Sequence, residues 1–436
     1  MTAQPAILDD VIAWAWDGPP EGSAAAAQAR LLLLDSLGCA LAGLAQSRPA
    51  GFGGALAGWM PGTVRLPGVP ASLAPGAAAS LLATAMCWDE ANDGLARAHG
   101  RPGLPVAPLA LVSLATRSAR LGEAVAAYAL GYEVAARAGE LWRIKPGMHV
   151  DGSWHCLGAA AAAARLAGMD RPAAARAVRL VACQVPFSLY APIAAGMDGR
   201  NLYPAQAVLL GVAAAAAAAA GMDAPAEGLE LGRRIALGAT APGSRAPAGE
   251  WLLAEGYVKP FAGVRHAHYG AAAALALRPA VAARLEAVRG IRLETYGEAI
   301  TYAGNRAPAT AIKAQFSLSW GVAAALVQGD LGPAAYAAAA LADPLLRRLE
   351  AMVELHEDPA MTTAGRRAAR ITLDMGGETL THAVVGVAGD PGRPMAGEEV
   401  RAKFHRLAGP LLGEAAASVA TAMLEGNALA TPAPFG

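Results

Sequence analysis

Apolar residues run through the first part of the chain in long, nearly uninterrupted segments, then give way to shorter alternating runs. Residues 24–41, 104–118, 122–141, 158–167 and 205–221 are alanine-rich with helical spacing. Alanine is the strongest helix former and lets neighbouring helices approach closely. A helix that is apolar all round must bury every face against other helices. This predicts a compact helical bundle over residues 1–255, and no fixed period points to a solenoid. Beyond Gly256 the pattern changes. Residues 288–295 alternate as a strand does, and residues 368–375 and 378–387 flank Gly376-Gly377, a strong hairpin signal. Residues 350–357 are a further candidate strand, and 317–329 and 333–342 read as helices. A last helical stretch, 398–424, follows the loop Gly389-Asp390-Pro391-Gly392. The expected fold class is mainly α with a smaller α+β domain. Residues 1–255 and 390–436 would form the helical domain from both chain ends, and 256–389 the α+β lid.

Composition narrows the function classes. Of 436 residues, 55% are hydrophobic and 16% charged, which excludes a disordered chain. Lys plus Arg equals Asp plus Glu at 35 each, so no global field favours nucleic acid or an anionic membrane. Anion binding must come from a local basic cluster. Cys39, Cys87, Cys156 and Cys183 are widely spaced, without C-x-x-C, and read as small core residues of a cytoplasmic protein. The first residues lack a basic region and carry Asp9 and Asp10, unlike a signal peptide. Residues 66–88 and 202–222 are uncharged enough to require a membrane check. Prolines in the first and alanines in the second make buried helices of a soluble protein the better expectation.

Three polar interruptions between apolar helices hold the candidate chemistry. The first runs from Trp88 to Pro102 and contains Asp89, Glu90, Asp93, Arg97, His99 and Arg101. It reads either as a solvated loop of local ion pairs, or as a site in which Arg97 or Arg101 grips a substrate carboxylate and His99 exchanges a proton. Histidine suits the second role because its ordinary pKa lies near operating pH. The next interruption, Pro146 to Gly158, offers His149 and His155 just before an alanine-rich helix, whose N-terminus attracts anions. A structural histidine is the competing reading there. The last, Tyr257 to Tyr269, lies at the proposed junction of the two units, where ligand clefts are common. Its Lys259, Arg265, His266 and His268 suit a di- or tricarboxylate. His266-x-His268 is at most half a metal site, since no third ligand has recognisable spacing. No G-x-G-x-x-G, phosphate-binding P-loop or G-x-S-x-G elbow occurs, so nucleotide and serine-hydrolase chemistry have no support.

Taken in order, these segments resemble the MmgE/PrpD family, which includes 2-methylcitrate dehydratase and cis-aconitate decarboxylase. The resemblance is carried by Leu34-Asp35-Ser36-Leu37-Gly38, the Asp89 to His99 segment, Gly131-Tyr132-Glu133, His149 with its following helix, Lys259-Pro260-Phe261, Phe316-Ser317-Leu318 and Lys403-Phe404. It implies a helical domain built from both chain ends, an α+β lid, an interdomain site, a homodimer, and no metal or organic cofactor. It places Asp89, His99, His149 and Lys259 at active-site positions and favours His149 over His155. Departures are present too. Asp93 stands where the decarboxylase branch has threonine, Arg200 where lysine is expected, Tyr203 where a histidine is, Trp320 where tyrosine is and Val264 where Cys or His is.

The family's shared chemistry is formation of a carbanion or enolate beside a carboxylate. The expected activity is a cofactor-independent, dehydratase-type lyase acting on a small di- or tricarboxylate. His99 and His149 would move protons, Lys259, Arg265 and Arg200 would hold carboxylates, and Asp89 would orient a neighbouring base or cation. Asp93, Arg97, Tyr203, His266, His268 and Trp320 complete the expected substrate-binding set. An epimerase or decarboxylase on the same scaffold is the alternative, and a non-catalytic carboxylate-binding protein is the alternative of another class. No nucleic-acid or membrane partner is expected.

Overall fold

The computed structural model describes residues 7–363 and 367–435. Its principal helices are α1 (Ala24–Leu44), α2 (Pro75–Trp88), α3 (Val106–Ala115), α4 (Leu121–Leu141), α5 (His155–Leu166), α6 (Arg171–Ala182) and α7 (Tyr203–Ala219). After Gly256 come α8 (Arg265–Val281), α9 (Leu318–Gln328), α10 (Pro344–Met352), α11 (Gly397–Leu412) and α12 (Ala415–Glu425). The chain is mainly α with a smaller α+β part. Local chemistry sets several starts: the Ser23 hydroxyl accepts from the Ala26 N–H ahead of α1, and Asp170 accepts from Ala173 ahead of α6. The expected helix over 398–424 is interrupted, because Gly413 leaves helical geometry at φ 52° and separates α11 from α12.

Two strands too short to be read from periodicity, β1 (Met148–His149) and β2 (Ser188–Leu189), pair antiparallel with His149 opposite Ser188. The larger sheet contains β3 (Gly290–Thr295), β4 (Val353–Glu357), β5 (Ala368–Asp374) and β6 (Thr379–Val385), in the order β4-β3-β5-β6. The pair β3/β4 is parallel and the other two are antiparallel. Gly376, at φ 81°, turns the β5–β6 hairpin as its sequence anticipates. The expected strand over 350–357 begins only at Val353, because residues up to Met352 complete α10. Helix α8 covers one face of β5 and β6, and α9 packs on α8.

One apolar core joins α1 to α7 with α11 and α12, contributing residues such as Leu33, Leu82, Leu130, Phe404 and Met423. A second gathers α8, α9 and the sheet around Tyr269, Trp320 and Ile371. Lys403 on α11 ties these regions to the first polar loop: its Nζ lies 2.5 Å from Asp35 on α1 and donates to the Ala91 carbonyl at 2.7 Å. Two stretches, Ala24–Leu44 and Asp198–Ala219, are long and apolar enough to cross a membrane by length and composition. The first is mostly buried, and α7 within the second packs on α2, α5 and α6. Residues 66–88 do not form one helix, since α2 begins at Pro75.

Helices α4 and α5 approach so closely that only glycine fits at their crossing. A Cβ at Gly158 would lie 2.3 Å from the Gly131 carbonyl oxygen, and one at Gly131 would lie 2.7 Å from the Gly158 oxygen. Gly158→Ala gains about 0.5–1 kcal/mol of helix propensity. It then meets a backbone atom that no rotamer change can move, and overpacking costs about 1–3 kcal/mol. The net expectation is a destabilisation, read as a lower denaturation midpoint at unchanged slope. A midpoint at or above the wild-type value would contradict this crossing.

Candidate active site

The first polar loop leaves the C-terminus of α2 and is clamped from several sides. Gly94 and Tyr257 exchange main-chain hydrogen bonds at 3.0 and 2.9 Å, the Gly263 N–H donates to the Asp89 carbonyl at 3.0 Å, and Gln315 Nε2 donates to the Trp88 carbonyl at 3.0 Å. The loop therefore touches the Tyr257–Gly263 segment and Gln315, just ahead of α9, while its origin stays in the helical core. Glu90 and His99 take left-handed backbone at φ 53° and 51°, conformations that cost a non-glycine residue and concentrate at functional sites.

Beneath this loop lies a buried charge cluster. Arg101 forms an ion pair with Asp151, donates to Glu90 Oε2 at 3.0 Å and to Asn92 Oδ1 at 2.7 Å. Arg200, fully buried, pairs with Glu90 and lies 3.5 Å from Asp151. Lys259 Nζ donates to the Glu90 carbonyl at 2.7 Å and to Glu90 Oε1 at 3.2 Å. Burial alone would raise the Glu90 carboxyl, but Arg101, Arg200 and Lys259 hold it well below the usual range. Burial likewise opposes ionisation of Asp151, and the Arg101 charge leads in overcoming it. Burial pushes the Lys259 ammonium down, against the pull of Glu90.

His149 borders this cluster. The main-chain N–H of Asp151 donates to its Nδ1 at 3.1 Å. That bond makes Nδ1 the acceptor and puts the proton of the neutral ring on Nε2. Burial lowers the His149 pKa to about 4, with Asp151 opposing and Arg200 and Arg101 reinforcing. The ring lies among Tyr190 and Tyr203, with centroids at 6.1 and 5.9 Å, and Tyr190 meets Phe316 edge-on at 6.5 Å. Arg200 lies 5.7 Å from the centre of the Phe316 ring. His155 is stacked on Trp154 at 3.7 Å, fully buried, with burial pushing its pKa down to about 3.

The structure thus brings His149, Lys259 and Arg200 together, and it sorts the other expected residues differently. His99 is exposed on a turn closed by reciprocal Leu95–Gly100 bonds, outside the ion-pair contacts, and burial with the Arg143 charge lowers its pKa. Arg97 pairs with Glu140 and Glu255, so Arg101 rather than Arg97 enters the cluster. Among the described residues the Asp89 carboxylate is hydrogen-bonded to Gln46 rather than to a base or cation: it accepts from Gln46 Nε2 at 2.8 Å, and burial pushes it up to about 6. It lines a different cavity, of about 480 Å³, with Gln46, Gln315 and Arg406. Asp93 is buried, and among the described residues its carboxylate oxygens find no hydrogen-bond partner; burial and then Asp35 push its carboxyl up to about 7.

On the Tyr257–Tyr269 side, Arg265 pairs with Asp390 and sits 3.8 Å from the Tyr257 ring centre, and is thereby neutralised within the chain. His266 Nδ1 lies 2.7 Å from the Tyr296 hydroxyl, and His268 Nε2 lies 3.2 Å from the Ala262 carbonyl in a fully buried position. Trp320 is a core residue of the α+β part whose indole N–H donates to the Ala335 carbonyl at 2.9 Å. Tyr203 donates to the Leu189 carbonyl at 2.9 Å beside His149. Sequence reasoning passed over Glu90 and Asp151 as cluster members and missed Tyr190 outright. For Glu90 and Asp151 the signal was present, as charged residues inside the first two loops, but nothing local pairs them. Among the described residues no group of three or more His, Cys, Asp or Glu side chains is placed to hold a metal ion.

Comparison with family models matches residues 12–238 to the MmgE/PrpD N-terminal domain and residues 261–426 to the MmgE/PrpD C-terminal domain. A comparison with curated proteins returns no match. The charge cluster draws on the first matched part and on the segment between the two: Glu90, Arg101, Asp151 and Arg200 lie in the first, and Lys259 lies just ahead of the second.

Two titrations follow. In ¹⁵N-edited spectra His149 should be the Nε2–H tautomer and titrate at about 4. A midpoint near the ordinary histidine value, or a proton on Nδ1, would contradict the site geometry. Asp93 has a folded pKa of about 7 against an ordinary 3.8. Its unfolded form ionises first as pH rises, so the folded state loses stability through that window. Asp93→Asn should therefore gain stability over wild type progressively from about pH 4 to pH 7 and hold that gain above it. Denaturation at pH 5 and pH 8 reads this directly, and a gain that does not grow between them would contradict it.

Proposed function

As this chain belongs to the MmgE/PrpD family, a family of dehydratase- and decarboxylase-type lyases, we propose that it is a cofactor-independent lyase that removes a proton beside the carboxylate of a small acid, most simply as a dehydratase. The observation that carries this reading is His149: a buried neutral imidazole, its tautomer held by the Asp151 amide, beside a cluster in which Arg101, Arg200 and Lys259 converge.

A proton beside a carboxylate is weakly acidic, and its removal places negative charge on the carboxylate oxygens. Preorganised donors in a water-poor site lower the energy of that charge. His149 offers its Nε2–H as such a donor without having to be charged. The excess cation of the cluster acts in the same direction. His99 stands on an exposed turn outside the cluster, and it is the family resemblance that assigns it as the group that takes the proton; its lowered pKa keeps it neutral for that role. In a dehydration the C–H electron pair becomes the new double bond, the hydroxyl leaves with its bonding pair, and the proton held on His99 converts it to water. The assignment of His99 as base and His149 as donor refines the expectation that both move protons.

The test is incubation with a panel of small hydroxy acids and unsaturated acids in D₂O, followed by NMR. Loss of water from a hydroxy acid, or hydration of an unsaturated acid with solvent deuterium entering at the carbon beside the carboxylate, supports the dehydratase. Deuterium uptake without loss of water or carbon dioxide assigns an epimerase instead. His149→Ala and His99→Ala are each expected to lower turnover by about 10²–10⁴-fold. Tight binding with no exchange on any acid, or full turnover in both variants, would overturn the proposal.

A further inference from the structure

Three cations from separate parts of the chain converge on a single carboxylate, that of Glu90. Arg101 Nη1 approaches at 3.0 Å and Lys259 Nζ at 3.2 Å, and Arg200 closes the set. Such charge-assisted contacts from two guanidinium groups and an ammonium are what a bound carboxylate ligand would receive. The Glu90 backbone is held at φ 53°, and Lys259 anchors its carbonyl at 2.7 Å, so the side chain is presented to the cations by a strained, fastened main chain. The two carboxylates of the cluster are not equivalent. The Asp151 side chain is fully buried, whereas that of Glu90 keeps 11% of its surface exposed.

We propose that Glu90 occupies, from within the chain, the place of a substrate carboxylate, so that the site takes a small acid with one carboxylate group rather than a di- or tricarboxylate. The inference rests on the proton-transfer reading above and narrows its substrate class. Among the groups in direct ion-pair contact, three cations, Arg101, Arg200 and Lys259, face two carboxylates, Glu90 and Asp151, an excess of one positive charge that suits one incoming carboxylate. Arg265, the other cation expected to hold substrate, is neutralised by Asp390. A second substrate carboxylate would either meet the like charge of Glu90 or have to displace it from three partners, and both outcomes select against it.

Calorimetric titration and thermal melts with acetate, succinate and tricarballylate as probes, at constant ionic strength, test this on wild type, Glu90→Gly and Glu90→Gln. Wild type should bind acetate at least as tightly as succinate or tricarballylate. Glu90→Gly, whose residue suits the left-handed backbone, should melt lower than wild type, recover in acetate but not in chloride, and bind succinate at least tenfold more tightly than wild type does. Should Glu90→Gly fail to fold, Glu90→Gln carries the test, because removing the like charge alone should tighten succinate several-fold. A wild type that prefers succinate or tricarballylate to acetate by tenfold would overturn the proposal. So would variants that gain nothing for dicarboxylates. None of these readouts requires turnover, so this claim and the proton-transfer reading fail separately.

Discussion

The buried pairing of Arg101 with Asp151 is the contact on which the rest of the site depends. It joins the loop after α2 to the loop before α5, and through Glu90 it reaches Arg200 ahead of α7 and Lys259 ahead of α8. Taking these charges out of water is expensive, and their attraction returns little net stability. Removing one member is a different matter, because it leaves its partner charged and buried. The cluster therefore acts mainly as a positioning device. It holds loops that are distant in sequence in one register, with the Lys403 contacts to Asp35 and the Ala91 carbonyl supporting it from α11.

The same pairing determines the chemistry available to His149. Asp151 presents its carboxylate to Arg101 and its main-chain N–H to the ring, so one residue fixes both the cation and the tautomer. Low polarity around the ring keeps it neutral, and the surrounding positive charge strengthens that effect. A neutral donor beside an excess of cation suits the stabilisation of an oxyanion. Glu90 then limits how much more negative charge the site can take.

Much of the architecture was legible in the sequence, because burial is periodic. Alanine-rich runs such as 122–141 can only be buried helices, and the alternation over 288–295 and around Gly376-Gly377 can only be sheet. The two-residue strand carrying His149 was not, since two residues show no period. The candidate site was legible to the level of which polar loops to consider, from their histidines and charges, and the ordered family resemblance then chose positions within them. Partner choice was not. Arg97 and Arg101 lie in one loop, yet the first turns to Glu140 and Glu255 and the second to Asp151, a difference set by helices elsewhere in the chain. Glu90 and Arg200 are 110 positions apart, and no local pattern couples them. Trp320 was singled out by the family resemblance and His268 by its polar loop, and both are buried core residues that reach nearby carbonyls, through the Trp320 indole N–H and His268 Nε2.

A double-mutant cycle on Arg101 and Asp151 tests this account most directly. Arg101→Met and Asp151→Leu should each cost about 3–5 kcal/mol in chemical denaturation, because each leaves a buried charge unpaired. The double variant should cost less than the two single losses together by at least about 1 kcal/mol, the signature of a coupled pair. Small single losses that simply add would show that the cluster does not organise the site.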